Sequence, residues 1–224
     1  MSEQEYRAIL AYMDEKLDAT SHDAEHTRRV LFNALEIAEG DPDVDFDVLI
    51  AACLLHDIAR PDEAACGCDH AAVGAQRAYE LLLARGWEQT RAMNVRDAIA
   101  CHRFRGKKLP VTKEAQILYD ADKIDSTGAI GVARSLFYNG EHHHPLYRLD
   151  GTRIAPPEGN RSGTFFDEYT VKLSKIPDVL LTERARALVQ KRAEVAAQMY
   201  RALVDEVEQV VGAGERRLSA HLKS

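Results

Sequence analysis

The sequence predicts an all-α fold, on three observations. Apolar residues recur at helical spacing along most of the chain, breaks rich in glycine and proline separate those stretches, and neither a strand-rich region nor a glycine-rich phosphate loop interrupts them. With 224 residues, 46% of them hydrophobic, a substantial core can form without disulfide support.

The elements follow in order. Tyr6, Ile9, Leu10, Met13 and Leu17 share one face of a first helix that starts at Glu3 and ends near Thr20. Ser21 is placed to cap a second over 22–39, whose Val30, Leu31, Ala34, Leu35 and Ala38 fall on one side before Gly40-Asp41-Pro42 stops it. A third helix, capped by Asp45 or Asp47, runs through Val48 to Leu55. Being apolar nearly all round, it belongs in the centre of the fold. Pro61 to Cys68 reads as a loop. Residues 70–85 and 88–102 read as two helices separated by Gly86, and 103–110 as a basic connector. The helical pattern resumes over 112–122 and 124–138, thinned by Gly128 and Gly131 where close packing or backbone approach is expected. Residues 139–160, with His142, His143, His144 and three prolines, lack that periodicity and read as a flexible loop or lid. Apolar residues return over 165–173, a long helix follows over 180–211, and the tail beyond Gly212 is expected to fray.

A formal charge of −7 argues against a broad nucleic-acid-binding surface, while leaving room for a local basic pocket and a small anionic substrate. The first ten residues lack an apolar signal core, and no run approaches the ~18 apolar residues of a membrane span. The expected address is the cytoplasm. Cys53, Cys66, Cys68 and Cys101 do not resemble a secreted disulfide framework and are read as reduced thiols.

The chemistry begins at His56-Asp57, which interrupts the apolar run from Val48. Burying an unpaired carboxylate costs several kcal/mol, so Asp57 needs a cation or a hydrogen-bond network. His26 and Asp122 share the chemical type of that pair. Imidazole nitrogen with carboxylate oxygen suits Zn, Mn, Fe or Ni, and adjacent helical residues project about 100° apart, so His56 and Asp57 can flank one ion. Asp120 and Asp122 point to different sides of their helix, so only one of them can join the histidines. Arg103, Arg105, Lys107 and Lys108 put positive charge after His102, with Arg29 and Arg134 as further phosphate-binding candidates, although such charge runs also serve as solvated loops. A structural zinc site of Cys66, Cys68, His70 and Cys101 is disfavoured by Cys-Gly-Cys, which is tighter than the usual Cys-x-x-Cys knuckle. The histidines at 142–144 are candidates for adventitious metal binding only.

The spacing of His26, His56-Asp57 and Asp122 resembles the HD-domain metal-dependent phosphohydrolase superfamily. The segment 22–30 looks like that family's first motif, and 120–125 followed by 128–134 resembles the last motif of a compact bacterial branch that includes nucleotide pyrophosphohydrolases. The resemblance runs from about residue 21 to 200. It implies a single HD-domain helical bundle over 1–212, with core motifs in 21–135, a flexible loop near 139–160, a long C-terminal helix within 162–212 and a flexible tail over 213–224.

The same resemblance implies metal ligands at His26, His56, Asp57 and Asp122. One divalent ion (Mn, Ni, Fe, Co, Zn or Mg) is expected, with a second conceivable through His70 and His102. Lys123 is expected to contact phosphate oxygens, and His70 or His102 to serve as general acid if not itself a ligand. Asp120 and Asp125 either orient these groups or cap the turn; without the other motifs, 120–125 reads as an acidic helix face. The implied reaction is metal-assisted hydrolysis of a small phosphorylated substrate, expected to be a nucleoside triphosphate split into monophosphate and pyrophosphate. Nucleotide monophosphatase or phosphodiesterase chemistry is the alternative enzyme reading, and a non-catalytic nucleotide-binding helical module the alternative of another class.

Overall fold

The computed structural model describes residues 1–17, 24–103, 109–159 and 163–222. The fold is all-α apart from one short hairpin, and it falls into two compact units, 1–125 with 180–188 and 126–179 with 189–224. The domain expected over 1–212 contains the first unit whole and most of the second.

The first unit is organised on α3 (Phe46–Leu55). Asp45 caps it by accepting hydrogen bonds from the amides of Asp47 and Val48, and Val48, Leu49 and Ala51 through Leu55 are buried, as an all-round apolar helix requires. Around it pack α1 (Glu3–Lys16), α2 (Ala24–Ala38), α5 (His70–Ala84), α6 (Gln89–Ala100) and α7 (Lys113–Asp125). The α2–α7 and α5–α6 pairs make the most extensive helix contacts of this unit. The expected Ser21 cap lies outside the described residues.

The stretch read as a loop after Pro61 is a helix, α4 (Arg60–Cys66). Proline is tolerated in a first helical turn because its missing N–H has no partner there, Asp62 and Glu63 suit the positive end of the dipole, and Gly67 closes the helix in the left-handed region at φ 68°. Proline and glycine thus bracket a short helix here.

In the second unit, α8 (Gly128–Glu141) is followed by β1 (Leu149–Asp150) and β2 (Arg153–Ile154), antiparallel with Leu149 opposite Ile154. The region without helical periodicity therefore holds the end of a helix and a two-stranded hairpin. Next come α9 (Phe165–Val171), whose cap Thr164 accepts from the Asp167 amide, a 3-10 turn at Leu173–Lys175 and α10 (Ile176–Val179). The last helix, α11 (Glu183–His221), begins in the first unit and supplies Tyr200 to the second, where it stacks on Tyr169 at 4.1 Å between ring centroids. The chain stays helical through Gly212 and Gly214 to His221, ten residues past the expected end. The helix tolerates each of these glycines at a cost of about 1 kcal/mol relative to alanine. Among the described residues no helix is long and apolar enough to cross a membrane.

Candidate metal centre

Five helices of the first unit deliver their polar ends to one buried cluster. His26 comes from the first turn of α2, His56 is the C-cap of α3 with Asp57 next to it, His70 opens α5 behind its cap Asp69, His102 follows the end of α6, and Asp122 lies in the last turn of α7. His26, His56, Asp57, His70 and His102 are all buried.

Three of the imidazoles are set by one device. Their Nδ1 atoms lie 2.7 Å from Asp125 Oδ2 for His26, 2.8 Å from the Cys53 carbonyl for His56 and 2.6 Å from the Ile99 carbonyl for His102. A carbonyl only accepts, so Nδ1 carries the proton in His56 and His102 and the Nε2 lone pair faces the other way. His70 Nδ1 lies 2.7 Å from Glu63 Oε2, out of line for a hydrogen bond. Burial pushes the His56 imidazole down to about 4, and burial together with the Arg60 charge does the same for His70, so both are neutral at pH 7.

Asp57 sits between the two histidine pairs. Its Oδ2 is 3.8 Å from His26 Nε2 and 3.6 Å from His56 Nε2, while its Oδ1 is 3.5 Å from His70 Nε2 and 3.4 Å from His102 Nε2. Asp122 Oδ1 is 3.5 Å from His26 Nε2. These separations are too long for hydrogen bonds and match two ligand atoms that each lie about 2.1 Å from a common cation. His56 Nε2 is buried without a hydrogen-bond partner, a costly state for a lone pair unless a cation faces it. The potential ligand atoms form two triads, His26, His56 and Asp122, and Asp57, His70 and His102, each within 4.8 Å internally. The donor set fits a divalent transition ion.

Charged groups around the cluster fix its carboxylates. Burial would raise the Asp122 carboxyl, but Lys123, with His26 and His56, holds it well below the usual range. Lys123 is itself buried, donating to Asp122 Oδ2 at 2.7 Å and to the His102 carbonyl while its Nζ lies 4.5 Å from the Tyr119 ring centroid. The ammonium expected on phosphate oxygens is thus engaged within the protein. Arg29 donates to both oxygens of Asp125, and Arg103 to Asp69 with Glu63 at 3.3 Å. Arg134 lies on α8 in the second unit, while Arg105, Lys107 and Lys108 lie outside the described residues.

Asp120 turns the other way, accepting from the amides of Leu181 and Thr182 and from the Thr182 hydroxyl, so the two acids of 120–122 do part, one to the cluster and one to a cap. The zinc alternative does not form. His70 belongs to the cluster, and Cys101 is buried with its thiol donating to the Asp97 and Ala98 carbonyls.

Two residues went unread in the sequence. Arg60 donates from Nε to Asp57 Oδ1 at 3.1 Å and from Nη1 to Glu63 Oε2 at 2.9 Å, and Glu63 in turn lies against His70. Their signal was the i, i+3, i+6 spacing of Asp57, Arg60 and Glu63, which carries weight only once α4 is seen to be helical.

Residues 23–127 match the HD domain family, and that span contains every member of the buried cluster. That segment is an HD domain. Its class is that of the metal-dependent phosphohydrolases. The HD chain is 27% identical over 197 residues to the uncharacterised protein YpgQ of Bacillus subtilis, covering 85% of this chain and 86% of YpgQ. The crystal structure of YpgQ in complex with ADP superposes with a TM-score of 0.70 at 25% identity, over 90% of this chain and 97% of the other. A Lactobacillus plantarum structure gives 0.74 at 27% identity, covering 92% and 98%. An HD-superfamily hydrolase of Bacillus thuringiensis gives 0.69 at 26%, covering 91% and 97%.

Proposed function

We propose that this HD domain holds two divalent ions and hydrolyses a nucleotide phosphoanhydride, releasing pyrophosphate from a nucleoside triphosphate. The observation that carries the reading is the position of Asp57, each of whose oxygens faces two imidazole nitrogens at 3.4–3.8 Å. His26, His56, Asp122 and Asp57 Oδ2 would hold one ion, and His70, His102 and Asp57 Oδ1 the other. Such ions supply charge neutralisation to a phosphoryl group and lower the pKa of water.

The protein's own groups do the rest. The carbonyls of Cys53 and Ile99 and the carboxylate of Asp125 fix the three rings whose Nδ1 atoms they face, and that orientation keeps the Nε2 lone pairs aimed at the cluster. Burial and the Arg60 charge keep His70 neutral at pH 7, which favours a ligand role for it over general-acid work. Lys123 acts as a positioning residue, tying Asp122 on α7 to the carbonyl of His102. Arg29, Arg60 and Arg103, each balanced by a carboxylate, are the cations proposed to meet substrate phosphates. The nucleotide class is supported by the ADP complex of YpgQ. Four free thiols and the absence of any membrane-crossing helix among the described residues agree with a cytoplasmic setting.

The test is a nucleotide panel in which phosphate and pyrophosphate are detected separately. Pyrophosphate with nucleoside monophosphate is the expected product pair. Release of orthophosphate from a monophosphate would turn the reading to a phosphatase, and no turnover with any divalent ion would turn it to a binding module.

A further inference from the structure

The second unit carries a pair of neighbouring histidines, His142 and His144, that the proposed reaction does not use. His142 caps the C-terminus of α8, with its Nδ1 2.9 Å from the Tyr138 carbonyl and its ring 4.0 Å from the Tyr138 ring. His144 places its Nδ1 3.1 Å from the side-chain oxygen of Asn139, which is buried and anchored by its own donation to the Ser135 carbonyl. Between them His143 takes φ 55°, the left-handed conformation, and the 142 and 144 rings end 5.9 Å apart. The Tyr138 carbonyl and the Asn139 oxygen both accept, so each ring in its neutral form keeps its proton on Nδ1 and its lone pair on Nε2. Two imidazoles sharing one tetrahedral ion have centroids roughly 5.2 Å apart, within an ångström of the 5.9 Å separation found here. His142 is exposed and His144 half-buried, so an ion from solvent can reach them.

We propose that His142 and His144 form a binding site for a borderline divalent transition cation, Cu, Ni or Zn, completed by water. The hydrogen bonds and the Tyr138 contact hold both rings before the ion arrives, which removes part of the ordering cost that a free histidine run would incur. His143, whose backbone makes the turn between the two, is not a ligand.

The experiment titrates the full-length chain with Ni(II) calorimetrically near neutral pH and repeats it with Cu(II) under electron paramagnetic resonance. Wild type is compared with His142→Asn/His144→Asn, each single variant, and His143→Asn. The double variant should bind one equivalent fewer than wild type and lose a two-nitrogen Cu(II) signal. Each single variant should weaken that site at least roughly tenfold, and His143→Asn should leave it unchanged, as should activity in the double variant. Equal stoichiometry and affinity in wild type and double variant would overturn the proposal, and so would a His143→Asn loss as large as that of either neighbour.

Discussion

Replacing Lys123 with methionine separates two roles for this residue, because the substitution keeps the apolar stem and removes only the charge. In the structure the ammonium is buried and joins Asp122 to the His102 carbonyl. Removing one partner of a buried ion pair costs about 3–5 kcal/mol, and because the Asp122 side chain is 17% exposed the low end applies, about 3 kcal/mol. For a chain of this size that corresponds to a Tm lower by about 6–12 °C. The sign of the pH dependence follows from Asp122. Its carboxyl is held below the ordinary value of 3.8, so its stabilisation is present above that pH and is lost as pH falls through the folded-state value. The deficit of Lys123→Met is therefore largest near neutrality and closes in acid. The assay is thermal unfolding of metal-free protein across pH, paired with kcat and KM of the reloaded enzyme. A Tm within about 2 °C of wild type, together with a raised KM, would refute the positioning role and restore direct phosphate contact.

Other substitutions read other parts of the account. Asp120→Asn should cost about 1–3 kcal/mol by denaturant unfolding, because one of its two acceptor oxygens is lost to the 181–182 amides and hydroxyl, while kcat per folded molecule stays at the wild-type value. In metal-free protein the stability should fall as pH drops from about 6.5 to about 4, the interval in which the unfolded chain binds protons that buried His56 and His70 refuse. The loss is on the order of 2–3 kcal/mol per histidine and should shrink in His56→Ala, as measured by denaturant unfolding across pH. Gly131→Ala should destabilise by about 3 kcal/mol or more in the same assay, since a Cβ there would overlap the Ser126 backbone.

Much of this was legible before any coordinates. The all-round apolar pattern of 48–55 placed α3 at the centre, and the motif spacing named His26, His56, Asp57 and Asp122, which the fold brings together from two helices, α2 and α7, and the turn after α3. The close approach expected near Gly131 is present against Ser126. What was not legible depends on contacts between segments distant in the chain. Lys123 reads from sequence as a cation next to an acid, and only the fold supplies the His102 carbonyl that draws it inward. Arg60 and Glu63 were hidden because Pro61 and Gly67 mark both loops and helix ends, and α4 uses them as helix ends. The division of Asp57 between two histidine pairs depends on side-chain direction at His70 and His102, which spacing alone does not give.

Metal content of the full-length chain, purified without chelator and then equilibrated with Mn(II) or Ni(II), tests the central claim most directly when wild type is compared with Asp57→Asn. Two ions in the buried cluster shared through Asp57 predict two tightly held equivalents in wild type, beyond any equivalent that is lost on His142→Asn/His144→Asn, and weakening of both in Asp57→Asn. A wild-type chain that retains no divalent ion, or an Asp57→Asn chain that retains both as tightly, would contradict it.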